Sequence, residues 1–226
     1  MKKQRWVGSV NRCQICNGSE LAPVLSLGHQ PIVQEYLTDA ELLEKETTYP
    51  LGTVVCASCK LMQLDYIVEP KKVFPKEYPY RTGLTNMLIR NFQNLADTTL
   101  ARGTYKTGDL VVDIGSNDGS LLQPFKRHGA SVVGVEPTNA AEDANKNGIP
   151  TLQRFFDAEA VQKIIKKQGY AKVITATNVF AHINDTGSLV KNVKKLLASD
   201  GIFVSESQYL LDTLEKTEFD CIYHEH

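Results

Sequence analysis

The sequence predicts an α/β chain: a doubly wound parallel sheet preceded by a small cysteine-bearing module. Three observations carry that expectation. Short apolar runs alternate with helical periodicity from Thr85 onward. The first apolar run ends in a turn rich in glycine and acids. Two Cys-x-x-Cys pairs, Cys13/Cys16 and Cys56/Cys59, fall in the core-poor residues before it.

The elements follow in order. Residues 1–70 hold both cysteine pairs and little helical periodicity. Within them, residues 38–44 suit a short helix capped by Thr38 or Asp39. Residues 54–56 and 61–64 flank the second pair like the arms of a hairpin. Residues 71–85 are rich in Pro, Tyr and Lys and read as a linker. Its Tyr78, Tyr80 and Arg81 either face a site or pack against the next domain. Residues 86–226 form the main domain. There, helices are expected over 86–100, 120–128, 140–147, 158–167 and 188–197. Strands are expected over 110–114, 131–135, 151–155, 172–176 and 202–205. That alternation means βαβ units.

Composition narrows the classes. With 226 residues and 42% hydrophobic content, the chain can bury one sizeable core plus a small module. A net charge of −1 leaves no nucleic-acid footprint. No apolar run reaches the roughly 20 residues that span a bilayer. No apolar stretch follows the basic start, so a secretory signal is not expected and a cytoplasmic location is. The sequence gives no oligomeric state.

The turn after the first strand reads Asp113-Ile114-Gly115-Ser116-Asn117-Asp118-Gly119. In a doubly wound sheet, ligands bind outside the carboxyl ends of the strands. Small residues let the backbone approach a ligand, and Asn117 tolerates the left-handed geometry that glycine usually supplies. The G-x-G-x-x-G of a dinucleotide site is missing. Asp113 and Asp118 instead suit a cationic ligand, such as the ammonium or sulfonium of S-adenosylmethionine. Glu136, 23 residues after Asp113, ends the second strand, where a carboxylate can accept ribose hydroxyls.

Each cysteine pair spans two intervening residues, and 39 residues separate the pairs. Two such knuckles close a tetrahedral four-sulfur zinc site with no open position, hence a structural metal. The alternative is buried or redox-active thiols. The last residues, Phe219-Asp220-Cys221-Ile222-Tyr223-His224-Glu225-His226, make a dense acid/base cluster, a metal-type His-x-His, or a solvated tail.

These pieces together resemble the sugar C-methyltransferases that act at C3 of nucleotide-linked deoxysugars. The likeness rests on the two Cys-x-x-Cys pairs, Tyr78-Pro79-Tyr80, Ile114 to Gly119, Asn178-Val179-Phe180-Ala181-His182-Ile183 and the 219–226 run. It covers nearly the whole chain. The resemblance implies a zinc-binding domain followed by a Rossmann-like S-adenosylmethionine domain. It implies that a 4-keto group acidifies C3–H, that a base removes the proton, and that the enolate carbon takes the methyl group. By similarity, His226 is the base, Glu225 and Tyr223 orient it or relay protons, and Tyr80 meets the substrate. Asn178, Val179 and Phe180 would line the cofactor pocket; His182 fits either that role or a packed core. Members of the family continue past the Tyr-His-Glu-His run into a further α/β domain, so the chain is expected to be a fragment. Two other readings stand beside this one: a small-molecule O- or N-methyltransferase, and a non-catalytic module that holds zinc and cofactor.

Overall fold

The computed structural model describes residues 7–33, 36–103 and 105–225. The chain forms two units. One takes Met1–Pro75, Ala181–Thr186 and Gln208–His226; the other takes Lys76–Phe180 and Gly187–Ser207.

The cysteine unit is strand-rich. It contains β1 (Gly8–Ser9), β2 (Leu21–Gln30), β3 (Tyr49–Cys56), β4 (Met62–Leu64), β5 (Tyr66–Ile67) and the short helix α1 (Pro70–Val73). Strands β2, β3 and β4 form an antiparallel sheet with β3 central, while β1 pairs with β5. The expected hairpin is β3–β4, with Val54 opposite Gln63 and Val55 opposite Met62. Strand β2 is a mostly exposed edge with two register shifts, and it carries Pro23, a residue confined to edges. The helix expected over 38–44 is only a 3-10 turn, Glu41–Leu43. Neither Thr38 nor Asp39 caps it: the N-cap is Ala40 with no side-chain cap bond, and Thr38 instead donates its N–H and hydroxyl to Glu41 Oε2, at 2.8 and 2.6 Å. Leu42 and Leu43 stay exposed, so no packing extends the turn. The unit's small apolar cluster is Ile32, Val68 and Val73, with Tyr49, Tyr66 and Phe74 against it.

The sheet unit follows the expected alternation closely. Helix α2 (Asn86–Arg102) leads into β6 (Leu110–Ile114), α3 (Leu122–Arg127), β7 (Ser131–Val135), α4 (Ala140–Lys146), β8 (Thr151–Leu152), α5 (Ala158–Gln168), β9 (Ala171–Thr177), α6 (Thr186–Leu196) and β10 (Leu197–Glu206). The sheet is parallel, in the order β10-β9-β6-β7-β8. The chain builds outward from β6 in one direction, then returns to β9 on the other side. Strand β6 is buried throughout, as a strand covered on both faces must be. Phe92, Ala96, Val111, Leu122, Phe125, Val132, Ile149 and Val173 form its core. Helix α5 starts where Asp157 accepts the Ala160 N–H at 2.8 Å.

After β10 the chain adds helix α7 (Leu210–Glu215), part of the cysteine unit. Among the described residues no helix is long and apolar enough to cross a membrane.

Candidate functional site

The sheet reverses its strand order between β6 and β9, so the ligand crevice of such a fold opens at their carboxyl ends. Gly115 follows β6 with φ 68°. A Cβ there would lie 2.5 Å from Val179 Cγ2, so the two loops close on each other only because residue 115 has no side chain. Asn178 is left-handed, with φ 51°. Its N–H donates to Glu206 O at 2.7 Å, and the Glu206 carboxylate accepts from Asn91 Nδ2 at 3.0 Å. Phe180 packs against Phe203, with ring centroids 6.3 Å apart. Val179 thus abuts the glycine turn, and Asn178 and Phe180 flank it in sequence.

Three acids surround this turn, and the structure separates their roles. Glu136 is buried; Oε2 accepts the Asn117 N–H at 3.0 Å and Oε1 accepts the Thr138 N–H at 2.9 Å. Each oxygen keeps a lone pair for a further donor. Asp113 is buried and accepts the Thr175 hydroxyl at 2.6 Å. Burial pushes its pKa up to about 7, against the Thr175 hydrogen bond and with help from the Glu136 charge. It is therefore far more readily protonated near neutral pH than an ordinary carboxylate. Asp118 faces the segment before α2: it accepts the Thr82 hydroxyl at 2.7 Å, the Gly83 N–H at 2.7 Å and the Ser120 N–H at 3.1 Å. Ser116 is buried, and its Oγ has no partner among the described residues.

The alternatives for the tyrosine segment resolve differently for each residue. Tyr78 packs, while Tyr80 stays 42% exposed. Burial, then the Asp118 charge, raises the Tyr80 phenol pKa above its ordinary value. Arg81 is a clamp. It donates to Asp143 Oδ2 at 2.8 Å, Asn139 Oδ1 at 3.0 Å and the carbonyl of Tyr80 at 3.0 Å, and also to the carbonyl of Tyr78.

In the cysteine unit the four sulfurs of Cys13, Cys16, Cys56 and Cys59 lie within 4.8 Å of one another. Cys13 to Cys59 and Cys16 to Cys56 are both 3.5 Å. Zinc–sulfur bonds of about 2.3 Å in a tetrahedron need sulfurs about 3.8 Å apart, so the set fits zinc. The two knuckles repeat one geometry. Asn17 and Lys60, each next after the second cysteine of its pair, are left-handed, at φ 62° and 65°. Asn17 N donates to Cys13 O and Lys60 N to Cys56 O, both at 2.9 Å. Main-chain N–H groups of Cys59 and Ser58 help pull the Cys56 thiol down to about 6. Against the main-chain N–H of Gly18, hydrogen bonding to Cys56 and Cys59 pushes Cys16 up to about 11. Without a metal the neighbours therefore share their protons, and the thiolate sits on Cys56.

The same unit carries the acid/base run. His182 donates from Nδ1 to the carbonyl of Glu225 at 3.0 Å, because a carbonyl can only accept. His224 is buried, and its Nε2 donates to the carbonyls of Tyr49 at 3.3 Å and Pro50 at 3.1 Å. Its Nδ1 has no partner among the described residues. His226 lies outside the described residues. The segment 181–186 is also tied to the first knuckle: Gln14 Nε2 donates to Asn184 O at 3.2 Å. Tyr223, Glu225 and His182 thus belong to the cysteine unit, and Tyr80, Asp113 to Gly119, Glu136 and Asn178 to Phe180 to the sheet unit. Sequence reasoning passed over Glu206, Thr175, Thr82 and Gln14. Glu206, Thr175 and Thr82 sit in no motif, and Gln14 is an intervening residue of the first Cys-x-x-Cys pair, where only the cysteines carry the signal.

The sequence matches the family described as "Putative zinc binding domain" over residues 13–74 and the family described as "Methyltransferase domain" over residues 86–226. The C-methyltransferase NovU of Streptomyces niveus is 36% identical over 221 residues, covering 97% of this chain and 52% of NovU. A ubiquinone biosynthesis O-methyltransferase of Rhodopseudomonas palustris (strain HaA2) is 31% identical over 103 residues, 43% of this chain and 39% of that protein. The chain therefore spans about half the length of NovU, and less of the second relative. Among solved structures, the plantazolicin methyltransferase BpumL in complex with a pentazolic desmethylPZN analog and SAH superposes with a TM-score of 0.47 at 14% identity, over 63% of this chain and 56% of that one.

Proposed function

Since the chain belongs to the methyltransferase-domain family, we propose that it carries the zinc and S-adenosylmethionine portions of a C-methyltransferase acting at C3 of a nucleotide-linked 4-keto-deoxysugar. The observation that carries this reading is the Tyr223-His224-Glu225 run held against the segment bearing His182. Methylation at carbon needs a carbanion and hence a placed base, and this run concentrates proton-handling groups. The 36% identity to a C-methyltransferase along 97% of the chain supports it.

Glu136 would accept the ribose hydroxyls with the lone pairs its two main-chain donors leave. Asp113, Gly115, Ser116, Gly119 and Asn178 to Phe180 wall the pocket. Bound S-adenosylmethionine supplies a methyl group on a positively charged sulfur that departs as a neutral thioether. A base would take the C3 proton and leave its C–H electrons in the enolate, whose carbon would be the acceptor of that methyl group. His226 is the proposed base, with Glu225 and Tyr223 relaying protons and Tyr80 on the substrate side.

Calorimetry with S-adenosylmethionine on wild type and Glu136→Ala tests the cofactor claim. Losing charge-assisted bonds to two hydroxyls is expected to weaken binding roughly 10- to 100-fold. No heat in the wild type sinks the central claim, and unchanged affinity in the variant sinks the ribose role. Deuterium uptake at C3 of a 4-keto sugar nucleotide tests the chemistry. Methyl transfer without such exchange would favour the O- or N-methyl reading; binding without either would leave a cofactor-holding module.

A further inference from the structure

Asn117 joins the pocket to the tyrosine segment. Its backbone is left-handed, with φ 47°, and its N–H donates to Glu136 Oε2 at 3.0 Å. Its side chain is committed elsewhere. Oδ1 accepts the N–H groups of Thr82 at 3.0 Å and Asp118 at 2.9 Å, and Nδ2 donates to Tyr80 O at 3.2 Å. Asp118 extends the grip through the Thr82 hydroxyl and the Gly83 N–H, both at 2.7 Å. A Cβ on Gly83 would lie 2.8 Å from Asp118 Oδ2 and 2.9 Å from Ser120 Oγ, so the carboxylate reaches this main chain because residue 83 is glycine. Arg81 secures the other side through Asp143 and Asn139. The main chain on both sides of Tyr80 is thereby fixed, while its ring stays half-exposed.

We propose that the side chains of Asn117 and Asp118 are positioning groups for Tyr80, not cofactor ligands, and that Asn117 links occupancy at Glu136 to the placement of that ring. Both lone pairs of Asn117 Oδ1 are used within the protein, and three of the roughly four acceptor positions of the Asp118 carboxylate are filled by Thr82, Gly83 and Ser120. The main chain of both residues still walls the pocket. A ligand that draws on Glu136 acts on the carboxylate that holds the Asn117 N–H, and the same residue holds Tyr80. This rests on the reading that Tyr80 meets the substrate.

Asn117→Gly tests it cleanly. Glycine keeps the left-handed backbone and the N–H to Glu136, and removes only the side-chain bonds. Cofactor affinity is expected to stay within about 3-fold, while kcat/KM for the sugar nucleotide falls at least about 10-fold, in line with the loss of two or three hydrogen bonds. Amide exchange at residues 82 and 83 should rise, and the fluorine resonance of fluorotyrosine at position 80, assigned by its loss in Tyr80→Phe, should shift. Thr82→Val should reproduce the sugar defect, and Thr82→Ser, which keeps the hydroxyl, should restore it. Weakened cofactor binding with an unmoved sugar KM and an unmoved position-80 resonance would overturn the proposal. If the wild type turns over no 4-keto sugar nucleotide, the substrate reading fails. The exchange and fluorine readouts then still decide the strap: both moving in Asn117→Gly sustains it, both still refutes it.

Discussion

The two units are held by different forces. The sheet unit buries β6 from end to end, four apolar residues and the hydrogen-bonded Asp113, and packs Val111 among Phe92, Leu122, Phe125 and Val173. The cysteine unit has a long, mostly exposed edge strand and, among the described residues, a small set of buried aliphatics: Ile32, Leu51, Val54, Ile67, Val68 and Val73. Its order centres on four sulfurs and on polar ties such as Gln14 to Asn184 and His224 to the carbonyls of Tyr49 and Pro50. A packed core tolerates the loss of one contact; a unit tied by a metal and a few polar bonds concentrates its stability in them. Both units carry candidate catalytic groups, so the difference decides which perturbation silences which part.

Metal removal is expected to have the largest effect. Structural zinc in small domains contributes roughly 10–16 kcal/mol of apparent binding energy at neutral pH, more than so small an apolar cluster could replace. Treating the protein with a strong chelator should erase amide protection in β2, β3 and β4 and in the residues around His182, which Gln14 connects to the first knuckle. Amides of β6, β7 and β9 should keep theirs, and S-adenosylmethionine binding should survive. Hydrogen exchange read by segment makes the check; simultaneous loss of protection in the sheet would break the comparison.

The difference between the units also explains what was legible in the sequence. Strands over 110–114 and 131–135 were readable to the residue because apolar runs and turn chemistry are local signals. The metal knuckles were readable because the spacing itself is the chemistry. Strand β2 was not, since Pro23 and Gly28 interrupt its alternation. The reading of Asp118 as an acid for a cationic ligand followed from its charge, yet its donors sit 35 and 36 residues away at Gly83 and Thr82, beyond any local pattern. The return of residues 208–226 to the cysteine unit is likewise a long-range event that no periodicity announces.

A smaller, pH-dependent effect should belong to the sheet unit. Asp113 titrates near 7 when folded, against an ordinary value of 3.8. The folded state therefore binds more protons between those values. The associated stability is full below about pH 4 and is lost as pH rises through 7. Urea midpoints measured from pH 5 to 8 should fall for the wild type, and Asp113→Asn should flatten that slope. Thr175→Val, which removes the hydrogen bond that opposes the shift, should carry the fall to higher pH. A slope unchanged in Asp113→Asn would assign it to another group.

The smallest expected effect probes the polar ties of the cysteine unit. His224 joins the run bearing Tyr223 and Glu225 to β3 by donating to two main-chain carbonyls, and its ring meets Tyr49 edge-on, with centroids 6.0 Å apart. His224→Ala removes donor and ring together, and should cost about 1–3 kcal/mol because two part-buried carbonyls lose their partner. In His224→Gln the amide Nε2 stands where the ring Nε2 stood and can still donate. That variant should recover roughly 1 kcal/mol of the loss if the hydrogen bonds matter. Equal losses in both variants would assign the effect to packing against Tyr49. In either case the change should appear in the exchange of β3 and spare β6, because the sheet unit's core lies among its own residues. Faster exchange in β6 would mean that the acid/base run supports the cofactor sheet as well as the cysteine unit.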